Sequence, residues 1–396
     1  MIRTHLLLAI SLTAIACGCS TLHILKYLWL FKMALIERQR WRTPTRDGQP
    51  HVFYGCETLP SRFESASGGI IKCQDLEAEF PNTTASPNLL YLVSSALPPH
   101  LPVLIRAAKR AGCPIVLNQN GVAYPAWHPH GWDAANKPLS LAYHAADWVF
   151  YQSDFCRVSA ERFLGARQGK GEILFNPVDT TVFTPKQPRP SIGSVILVSG
   201  SHMFRYRLES SILAFVEFRK DHPKSKMIVA GRYCWGPDEA SCKQEIRELA
   251  IKAGVDEAID WRGTYTQTEA PALMQAADIL LHPKYNDPCP RLVVEAMACG
   301  LPIVFSHSGG VPELVGPDAG VGVPAPQNWN QDHPPQAAEL AVALNLVVSR
   351  YRDMSAAARQ RAVSTLDVKT WQQHHAIIFQ KCMNPANLSI SSRQTA

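Results

Sequence analysis

Short, largely apolar runs alternate along the chain with longer stretches of helical periodicity, and this pattern occurs twice. Apolar runs that are separated by helices are typical of strands buried on both faces of a parallel sheet. Each half of the chain therefore predicts one sheet. We predict the strands of the first half at 51–54, 89–93, 115–117, 148–151 and 172–175, and those of the second half at 194–199, 226–230, 258–261, 279–281 and 302–305.

Helical stretches are predicted between these strands, and a basic segment with two prolines at 186–190 separates the two halves. Two Rossmann-like domains joined in this way face each other across a cleft, and a ligand binds where the carboxyl ends of both sheets meet. The sequence thus predicts an α/β protein with two domains. The predicted helices lie at 102–111, 155–164, 209–219, 240–253 and 291–299, with a helical tail at 337–383.

Composition excludes several classes of protein. The 396 residues are 46% hydrophobic and 18% charged, which excludes a disordered chain and is typical of folded domains. The net charge of +6 is spread along the chain. Such a charge suits a phosphate-bearing ligand or an anionic membrane surface, but it is too weak and diffuse to indicate nucleic-acid binding. The cysteines have no zinc-site spacing, so they predict no metal site.

The first forty residues carry a separate signal. Residues 6–25 contain no Asp, Glu, Lys or Arg, and they are long enough to cross a bilayer as a helix. Only Arg3 precedes this stretch, whereas several cations follow it, so the positive-inside rule keeps the globular part in the cytoplasm. We therefore expect residues 1–32 to be a hydrophobic anchor that holds the protein at the cytoplasmic face of the membrane.

Two alternatives remain open for this segment. Translation could begin at Met33, in which case residues 1–32 would be a non-native extension. Residues 14–16 (Ala-Ile-Ala) followed by Cys17 are similar to a signal-peptidase site with a cysteine for lipidation, which would mean export.

The clearest chemical signal is the loop and helix that follow the strand predicted at 279–281. The helix is expected to begin near Pro290 and to end at Gly300, since proline is tolerated in a first turn and glycine is common after a last one. The free N–H groups and the dipole of a helix start form an anion site. Asp287 and Glu295 lie on either side of this start. Two carboxylates so placed suit the hydroxyls of a sugar and of a ribose, with room for a diphosphate between them.

This segment strongly resembles the nucleotide-sugar signature of the family 4 glycosyltransferases, which are retaining enzymes with the GT-B fold. The signature is a glutamate, seven further residues and then Glu-Ala-Met-Ala-x-Gly, and this chain has that second part from Glu295 to Gly300. Asp287 replaces the first glutamate, and Glu295 matches the second, which in the family binds the ribose of the nucleotide. Residues 288–290 (Pro-Cys-Pro) replace the usual Gly-Phe-Gly, which removes two backbone donors. Arg291 is the candidate to compensate for them.

The resemblance extends over residues 50–382. Residues 176–185, with Asn-Pro-Val-Asp at their start, are similar to the segment that closes the family's N-terminal domain. Residues 67–69 (Ser-Gly-Gly) are similar to its glycine loop, where backbone amides approach the donor or the acceptor.

The same resemblance covers the start of the second domain. Residues 199–201 (Ser-Gly-Ser) stand just before Arg205 and Arg207, in the region where the family uses an arginine and a lysine to neutralise the departing diphosphate. The spacing leaves open whether one or both of these arginines serve that role.

One position departs from many relatives, which carry a histidine near the reacting sugar carbon. This chain has Asn120 there, which can hydrogen-bond a sugar but cannot act as a base at neutral pH. Gln119, Trp127 and His128 lie close to it and are candidates to contact the acceptor. No Asp-x-Asp occurs in the chain, which fits an enzyme of this kind that needs no metal ion.

The resemblance implies a GT-B protein with Rossmann-like parallel-sheet domains at 48–188 and 191–365, a C-terminal helix at 366–383 that packs back on the first domain, and a flexible tail at 384–396. It implies transfer of a hexose from a nucleotide-diphosphate sugar to an acceptor hydroxyl with retention, in the synthesis of a cell-envelope polysaccharide or glycolipid. No metal or other cofactor is expected. The expected partners are the nucleotide-sugar donor, a glycan or lipid-linked acceptor and the inner-membrane surface, and not nucleic acid.

The resemblance also assigns roles to residues. The candidate catalytic residues are Asp287, Arg205, Arg207 and Asn120; the candidate donor contacts are Glu295, Arg291, Gly68, Gly69, Gly200, Pro290 and Leu292; and the candidate acceptor contacts are Gln119, Trp127 and His128.

Two other functions remain open from the sequence. An exported sugar-binding protein also has two Rossmann-like lobes, and a GT-B hydrolase or epimerase also binds a nucleotide sugar.

Overall fold

The computed structural model describes residues 21–63, 68–186 and 195–384. Most of the apolar stretch at 6–25, Ser67 of the glycine loop, most of the basic segment at 186–190 and the tail from residue 385 onward lie outside the described residues.

The first domain is built on a five-stranded parallel sheet whose strands lie in sequence order. The strands are β1 Val52–Phe53, β2 Leu89–Val93, β3 Ile115–Gln119, β4 Trp148–Tyr151 and β5 Lys170–Ile173. The helices that precede, connect and cover them are α1 Thr21–Arg40, α2 Gly68–Glu77, α3 Leu101–Arg110, α4 Trp132–Ala145 and α5 Asp154–Leu164. β2 and β3 are buried at every position, including the polar Asn118 and Gln119 at the end of β3.

Helices cover both faces of this sheet. On one face, Leu104 of α3, Tyr143 of α4 and Cys156 of α5 pack against alternate side chains of the central strands. On the other face, Leu76 of α2 packs against the remaining side chains of those strands. Since both faces are covered, the carboxyl edge of the sheet is the part that stays open to a ligand.

The second domain is built on a six-stranded parallel sheet with the order β11-β10-β9-β6-β7-β8. Its strands are β6 Val195–Ser199, β7 Lys226–Ala230, β8 Ile259–Trp261, β9 Ile279–His282, β10 Ile303–His307 and β11 Gly320–Pro324. Its helices are α6 Tyr206–Asp221, α7 Glu239–Lys252, α8 Ala270–Gln275, α9 Arg291–Ala298, α10 Val311–Val315, α11 Ala337–Ser349 and α12 Tyr351–Thr365. The strand order reverses between β6 and β9, which is where ligands bind in sheets of this kind.

These two sheets confirm the predicted fold class, and each predicted strand overlaps one that the structure has. β11 was not predicted, because its glycines and terminal proline read as a turn. The structure explains the glycine at its start. A Cβ atom on Gly320 would lie 2.1 Å from the Ile303 carbonyl oxygen of the neighbouring strand, so only glycine fits there.

The last helix, α13 Val368–Met383, returns to the first domain as the resemblance implied. The ring of Phe379 lies 5.1 Å from that of Phe80 and 5.9 Å from that of Tyr91. The Tyr91 hydroxyl also lies 3.1 Å from Nε2 of His375. The end of the described chain thus stabilises the first domain rather than the second.

Helix α1 extends beyond residue 32, the predicted end of the anchor, and packs on α3. Its last turn is held by Glu37, which is buried and accepts a hydrogen bond of 3.0 Å from Nε1 of Trp41. Among residues 21–63, 68–186 and 195–384, none of the helices is both long enough and apolar enough to span a bilayer.

We predict that Phe379→Ala lowers the free energy of unfolding by about 3–5 kcal/mol, because it removes a fully buried aromatic ring that joins α13 to the first domain. Urea denaturation followed by circular dichroism measures this change. Ile377→Ala is the matched control, since Ile377 lies on the same helix but is 52% exposed, and a change within about 0.5 kcal/mol is expected. Equal destabilisation by the two variants would contradict the docking of α13 on the first domain.

Candidate functional site

A cavity of ≈ 680 Å³ lies between the two domains, at the carboxyl ends of both sheets. Its volume is within the range of small-molecule sites. The first domain contributes the start of α2, the turn after β2 and the loop after β3, whereas the second contributes the loop between β9 and α9. The strand reversal and the interdomain cleft therefore coincide at this loop.

Asp287 lies buried in the loop after β9 and lines the cavity. Its Oδ2 atom lies 3.0 Å from Nε2 of His282 and 3.2 Å from Nζ of Lys284. Burial alone would raise the pKa of this carboxyl, but the charge of Lys284 and the hydrogen bond from His282 hold the pKa well below its usual value. Burial lowers the pKa of His282, so its neutral ring donates Nε2–H to the carboxylate. Asp287 is thus a fixed negative charge in the cleft.

The backbone of Asp287 is held by a glycine turn that follows β10. The Gly310 N–H donates a hydrogen bond of 2.9 Å to the Asp287 carbonyl. A Cβ atom on Gly309 would lie 2.5 Å from that same carbonyl oxygen, and Gly309 has a φ of +66°. Only glycine allows the two loops to come this close.

Residues 288–290 (Pro-Cys-Pro) continue this loop against the first domain. The Ser153 hydroxyl donates a hydrogen bond of 2.7 Å to the Pro288 carbonyl, and Nδ2 of Asn176 donates one of 2.5 Å to the Cys289 carbonyl. Pro290 occupies the N-cap position of α9 and lines the cavity. Both carbonyl groups are therefore used in holding the loop, and both prolines lack an N–H that could face a ligand.

Glu295 lies one turn inside α9 and is mostly buried. Its Oε1 atom accepts a hydrogen bond of 2.9 Å from Nε of Arg291. The same guanidinium donates one of 2.6 Å to Asp75 on α2, so Arg291 joins the two domains. Burial raises the pKa of Glu295 although the charge of Arg291 opposes this shift.

The two candidate arginines at the start of α6 have different surroundings. Arg205 forms ion pairs with Glu209 and Glu245 on the outer surface and is not among the residues that line the cavity. Arg207 is buried and donates hydrogen bonds to the carbonyls of Ser199 (3.1 Å) and Ser201 (2.7 Å). The structure therefore brings Arg207, but not Arg205, to the turn that ends β6.

Gly200 occupies this turn with a φ of +108°, a conformation that favours glycine. A Cβ atom on Gly200 would lie 3.7 Å from Cδ2 of Leu292, so the side chain of Leu292 packs against the turn. Gly200 and Leu292, which are both candidate donor contacts, therefore lie against each other where α9 contacts the end of β6.

Gly68 and Gly69 begin α2 at the edge of the cavity. A Cβ atom on Gly69 would lie 2.8 Å from Oγ of Ser95 and from Cβ of Ala96. The second glycine therefore serves the close approach of α2 to the turn after β2, which fixes where the helix start points.

Asn120, Trp127 and His128 line the first-domain side of the cavity. The Asn120 carboxamide oxygen accepts a hydrogen bond of 2.8 Å from the backbone N–H of Gly121. The backbone N–H of Asn120 donates a hydrogen bond of 2.9 Å to Oγ of Ser94. The indole of Trp127 lies 5.1 Å from the Lys284 ammonium.

Gln119 is a candidate acceptor residue that lies behind the residues lining the cavity. It is fully buried, and its Nε2 atom donates to the Asn120 carbonyl at 2.7 Å. It is absent from the residues that line the cavity.

The sequence did not point to two further features near the candidate site. Lys72 on α2 is buried and lines the cavity, but a single lysine in this stretch of sequence gives no signal of this. A separate hollow, of ≈ 260 Å³, lies beside α8 and is lined by Tyr265, Arg262 and Leu273 among others. Burial and the nearby charge of Glu295 raise the pKa of Tyr265 to about 12.

Further contacts join the two domains at α5. The Glu313 carboxylate accepts the N–H groups of Asp154 (2.6 Å) and Phe155 (3.0 Å) at the start of α5. Trp329 stacks on Phe155 with ring centroids 4.9 Å apart and lies 5.1 Å from the ring of Tyr124. These contacts hold α5 and the loop after β3 against the second domain.

Within the described ranges, no group of three or more His, Cys, Asp or Glu side chains is arranged to hold a metal ion. The cavity instead presents the cations Lys72, Lys284 and Arg291.

Comparison with known proteins agrees with this geometry. Residues 180–361 match the family model described as "Glycosyl transferases group 1". A glycogen synthase of Mycobacterium tuberculosis is 27% identical over 254 residues, which is 61% of this chain and 57% of that protein. The phosphatidylinositol N-acetylglucosaminyltransferase gpi3 subunit of Schizosaccharomyces pombe is 23% identical over 55% of this chain and 44% of its own length. The chain thus spans about half the length of these curated relatives.

Solved structures share the fold. The HepE protein of Anabaena in complex with UDP has a TM-score of 0.61 and 20% identity, over 79% of this chain and 82% of that one. A sucrose-phosphate synthase of Thermosynechococcus elongatus has a TM-score of 0.58 and 15% identity, over 79% and 76%. The GT-B fold predicted from the sequence is confirmed, and the match over residues 180–361 agrees with the predicted glycosyltransferase family.

We predict that Asp287→Asn lowers the free energy of unfolding by about 3 kcal/mol at pH 7, because it leaves the Lys284 ammonium, whose side chain is only 17% exposed, without its anion. The pKa of Asp287 is lower in the folded protein, so its contribution is complete above the ordinary Asp pKa and is lost as the pH falls below it. Urea denaturation between pH 7 and pH 3 measures the difference, which should shrink below about pH 4.

The control for this variant is Asp318→Asn, since Asp318 is exposed. It should change stability by less than about 0.5 kcal/mol at every pH. A destabilisation by Asp287→Asn that stays constant down to pH 3 would count against the fixed charge.

Proposed function

Since residues 180–361 belong to the group 1 glycosyl transferases, we propose that the protein transfers a sugar from a nucleotide-diphosphate sugar to an acceptor hydroxyl with retention of configuration. The observation that carries this proposal is the placement of Asp287 and Glu295 on either side of the start of α9: Asp287 lines the cavity between the domains, and Glu295 pairs with Arg291, which also lines it. Neither an exported sugar-binding protein nor a nucleotide-sugar hydrolase or epimerase is favoured by a contact in this cleft.

The donor would lie along α9. Glu295 would accept the ribose hydroxyls, and the neighbouring hollow at Tyr265 would take the base. Asp287 would accept hydroxyls of the sugar, since its carboxylate is ionised and faces the cavity. The diphosphate would lie between them at Pro290, where the helix dipole is positive. The UDP bound to the Anabaena protein of the same fold supports a uridine donor.

The two arginines would act on the leaving group in different ways. Arg207 would act through the Gly200 turn, because both of its hydrogen bonds hold the carbonyls around that glycine. Arg205 would have to leave Glu209 and Glu245 to reach a diphosphate. Stabilisation of the leaving charge by fixed dipoles and cations is the largest contribution that the site offers to the reaction.

The acceptor would enter from the first domain. Trp127 and His128 line the cavity there, and the Trp127 indole presents a face that suits a sugar ring. Asn120 would position the acceptor hydroxyl or the donor sugar, whereas Gln119 would support Asn120 from behind. The name of the fission-yeast relative, a phosphatidylinositol glycosyltransferase, supports a lipid acceptor and a role in glycolipid or envelope polysaccharide synthesis.

Retention would follow from attack on the same face of the sugar from which the diphosphate departs. The departing phosphate oxygen would take the proton of the acceptor hydroxyl as the new glycosidic bond forms. Asp287 is held by His282 and Lys284, so it positions the sugar rather than attacking it. We propose that no metal ion or other cofactor takes part, because lysine and arginine side chains face the place of the diphosphate. The contacts of Glu313 and Trp329 would exclude water from the donor.

We also propose that α1 attaches the protein to the anionic cytoplasmic surface of the membrane. Tyr27, Phe31 and Leu35 follow one another at four-residue intervals, so they lie on one stripe of the helix. Their exposed fractions are 65%, 47% and 50%. Lys26 and Lys32 are also exposed beside this stripe. Apolar side chains flanked by lysines are typical of helices that lie in a membrane interface.

We predict that Glu295→Ala weakens binding of the nucleoside diphosphate about a hundredfold, because it removes the carboxylate that would accept two ribose hydroxyls. Isothermal titration with UDP, GDP and ADP identifies the nucleotide and measures the loss. Transfer is followed with the matching radiolabelled nucleotide sugar and a membrane extract, with and without EDTA. The anomeric configuration of the product is read by NMR.

Glu248→Ala is the control for that variant, since Glu248 is exposed on α7. It should keep the affinity and turnover of the wild-type protein. Unchanged turnover in Glu295→Ala, or wild-type protein that binds none of the three nucleotides, would refute the proposed donor site.

We predict that the double variant Phe31→Asp with Leu35→Asp loses at least about tenfold in affinity for vesicles that contain 30% anionic phospholipid, because it charges the apolar stripe of α1. Vesicle flotation with the full chain measures binding. Val342→Asp is the control, since Val342 is 68% exposed on the second domain. Equal binding by the double variant and the control would rule out attachment through α1.

A further inference from the structure

Lys72 is a buried cation that no described anion neutralises. It lies on the first turns of α2, is 3% exposed and lines the cavity. Its Nζ atom has one hydrogen bond, a long one of 3.4 Å to the Gly68 carbonyl. Among the described residues it forms no ion pair, whereas the two other cations of the cavity do so. Lys284 pairs with Asp287, and Arg291 pairs with carboxylates of both domains.

Among residues 21–63, 68–186 and 195–384, the surroundings of Lys72 give no structural reason for a charge. Its neighbours include the thiols of Cys73, Cys156 and Cys289, and burial raises the pKa of each of these thiols. They therefore stay neutral at the pH at which lysine is charged. An ammonium that is taken out of water without a partner is unfavourable, and an apolar side chain of the same length would fill this space at lower cost. The ammonium group therefore needs a ligand.

The position of Lys72 indicates which ligand this is. Its charge acts on Cys289 and Arg291, the two residues that flank Pro290 at the start of α9. This helix start has lost two N–H donors, because both Pro288 and Pro290 lack one. A positive group of the first domain thus lines the same cavity as the helix start whose loop lacks these donors.

We propose that Lys72 binds a phosphate group in the cleft, and that this phosphate belongs to the diphosphate of the donor. This inference rests on the proposed function, since it places the diphosphate of a nucleotide sugar at the start of α9. Lys72 then supplies from the first domain the contact that the prolines remove from the second. Because it lies on α2, it also couples closure of the two domains to the presence of a diphosphate.

The test compares Lys72→Met with the wild-type full chain by isothermal titration. The probes are the nucleoside diphosphate that the wild-type protein binds, selected from UDP, GDP and ADP, and the corresponding nucleoside. Lys72→Met should weaken diphosphate binding by about tenfold to a hundredfold and leave nucleoside binding unchanged. Arg62→Met is the matched control. Arg62 is half-exposed and pairs with Asp75 on the same helix, so this variant removes one positive charge near α2 and should leave both affinities unchanged.

A stability measurement separates a ligand-binding role from a structural one. Lys72→Met should have a melting temperature equal to or higher than that of the wild-type protein, because an unpaired buried charge is replaced by an apolar side chain. A lower melting temperature, or a variant that does not fold, would overturn the proposal and make Lys72 a structural residue.

The affinity should also depend on pH. Burial lowers the pKa of Lys72 to about 8, so the free protein loses this charge as the pH rises above that value. The groups that face it are Cys73 on its own helix, Cys156 on α5, and Cys289 and Arg291 of the second domain. Diphosphate affinity should therefore fall by up to about tenfold per pH unit above pH 8 in the wild-type protein, and should not fall in Lys72→Met.

Other results of these measurements would distinguish failure of the Lys72 proposal from failure of the proposed donor site. Equal diphosphate affinity in Lys72→Met and the wild-type protein would overturn the proposal while leaving the donor site of the proposed function intact. If that variant also raised the KM for a phosphate-bearing acceptor, the phosphate would belong to the acceptor. A wild-type protein that bound no nucleotide would refute both proposals together.

Discussion

The loop that carries Asp287 is the element on which both sides of the cleft depend, because its backbone is hydrogen-bonded to both domains. The Asp287 carbonyl is held by the glycine turn of the second domain, whereas the Pro288 and Cys289 carbonyls are held by the first. Three consecutive carbonyl groups are thus used for positioning. A loop fixed in this way can place a carboxylate and a helix start with little freedom, which is what stabilisation of a developing charge requires.

Much of this architecture could be predicted from the sequence. The apolar runs 89–93 and 115–117 predict strands buried on both faces, and β2 and β3 are indeed buried at every position. The helix after Asp287 was predictable for a local reason as well, since Pro290 precedes it and Gly300 follows it with a φ of +72°. The spacing of Asp287 and Glu295 is fixed by that one loop and helix.

Features made by contacts between distant parts of the chain could not be predicted. Arg205 and Arg207 are two positions apart in the sequence, yet one lies on the surface and the other is buried beneath the Gly200 turn. Lys72 is identified only when α2 meets the second domain. β11 has the composition of a turn, and the reason for the glycine at its start is a neighbouring strand that precedes it in the chain. In each case the missing information was tertiary packing rather than local propensity.

The cap that Glu313 provides to α5 has a consequence for domain movement. The Glu313 carboxylate satisfies the N–H groups of Asp154 and Phe155, and Trp329 stacks on Phe155. Separating the domains would return that helix start to water and expose the stacked rings. These contacts therefore favour the arrangement in which the domains touch at α5. A movement that separates the domains there must first break them, so this interface would contribute to the barrier for substrate entry and product release in the proposed reaction.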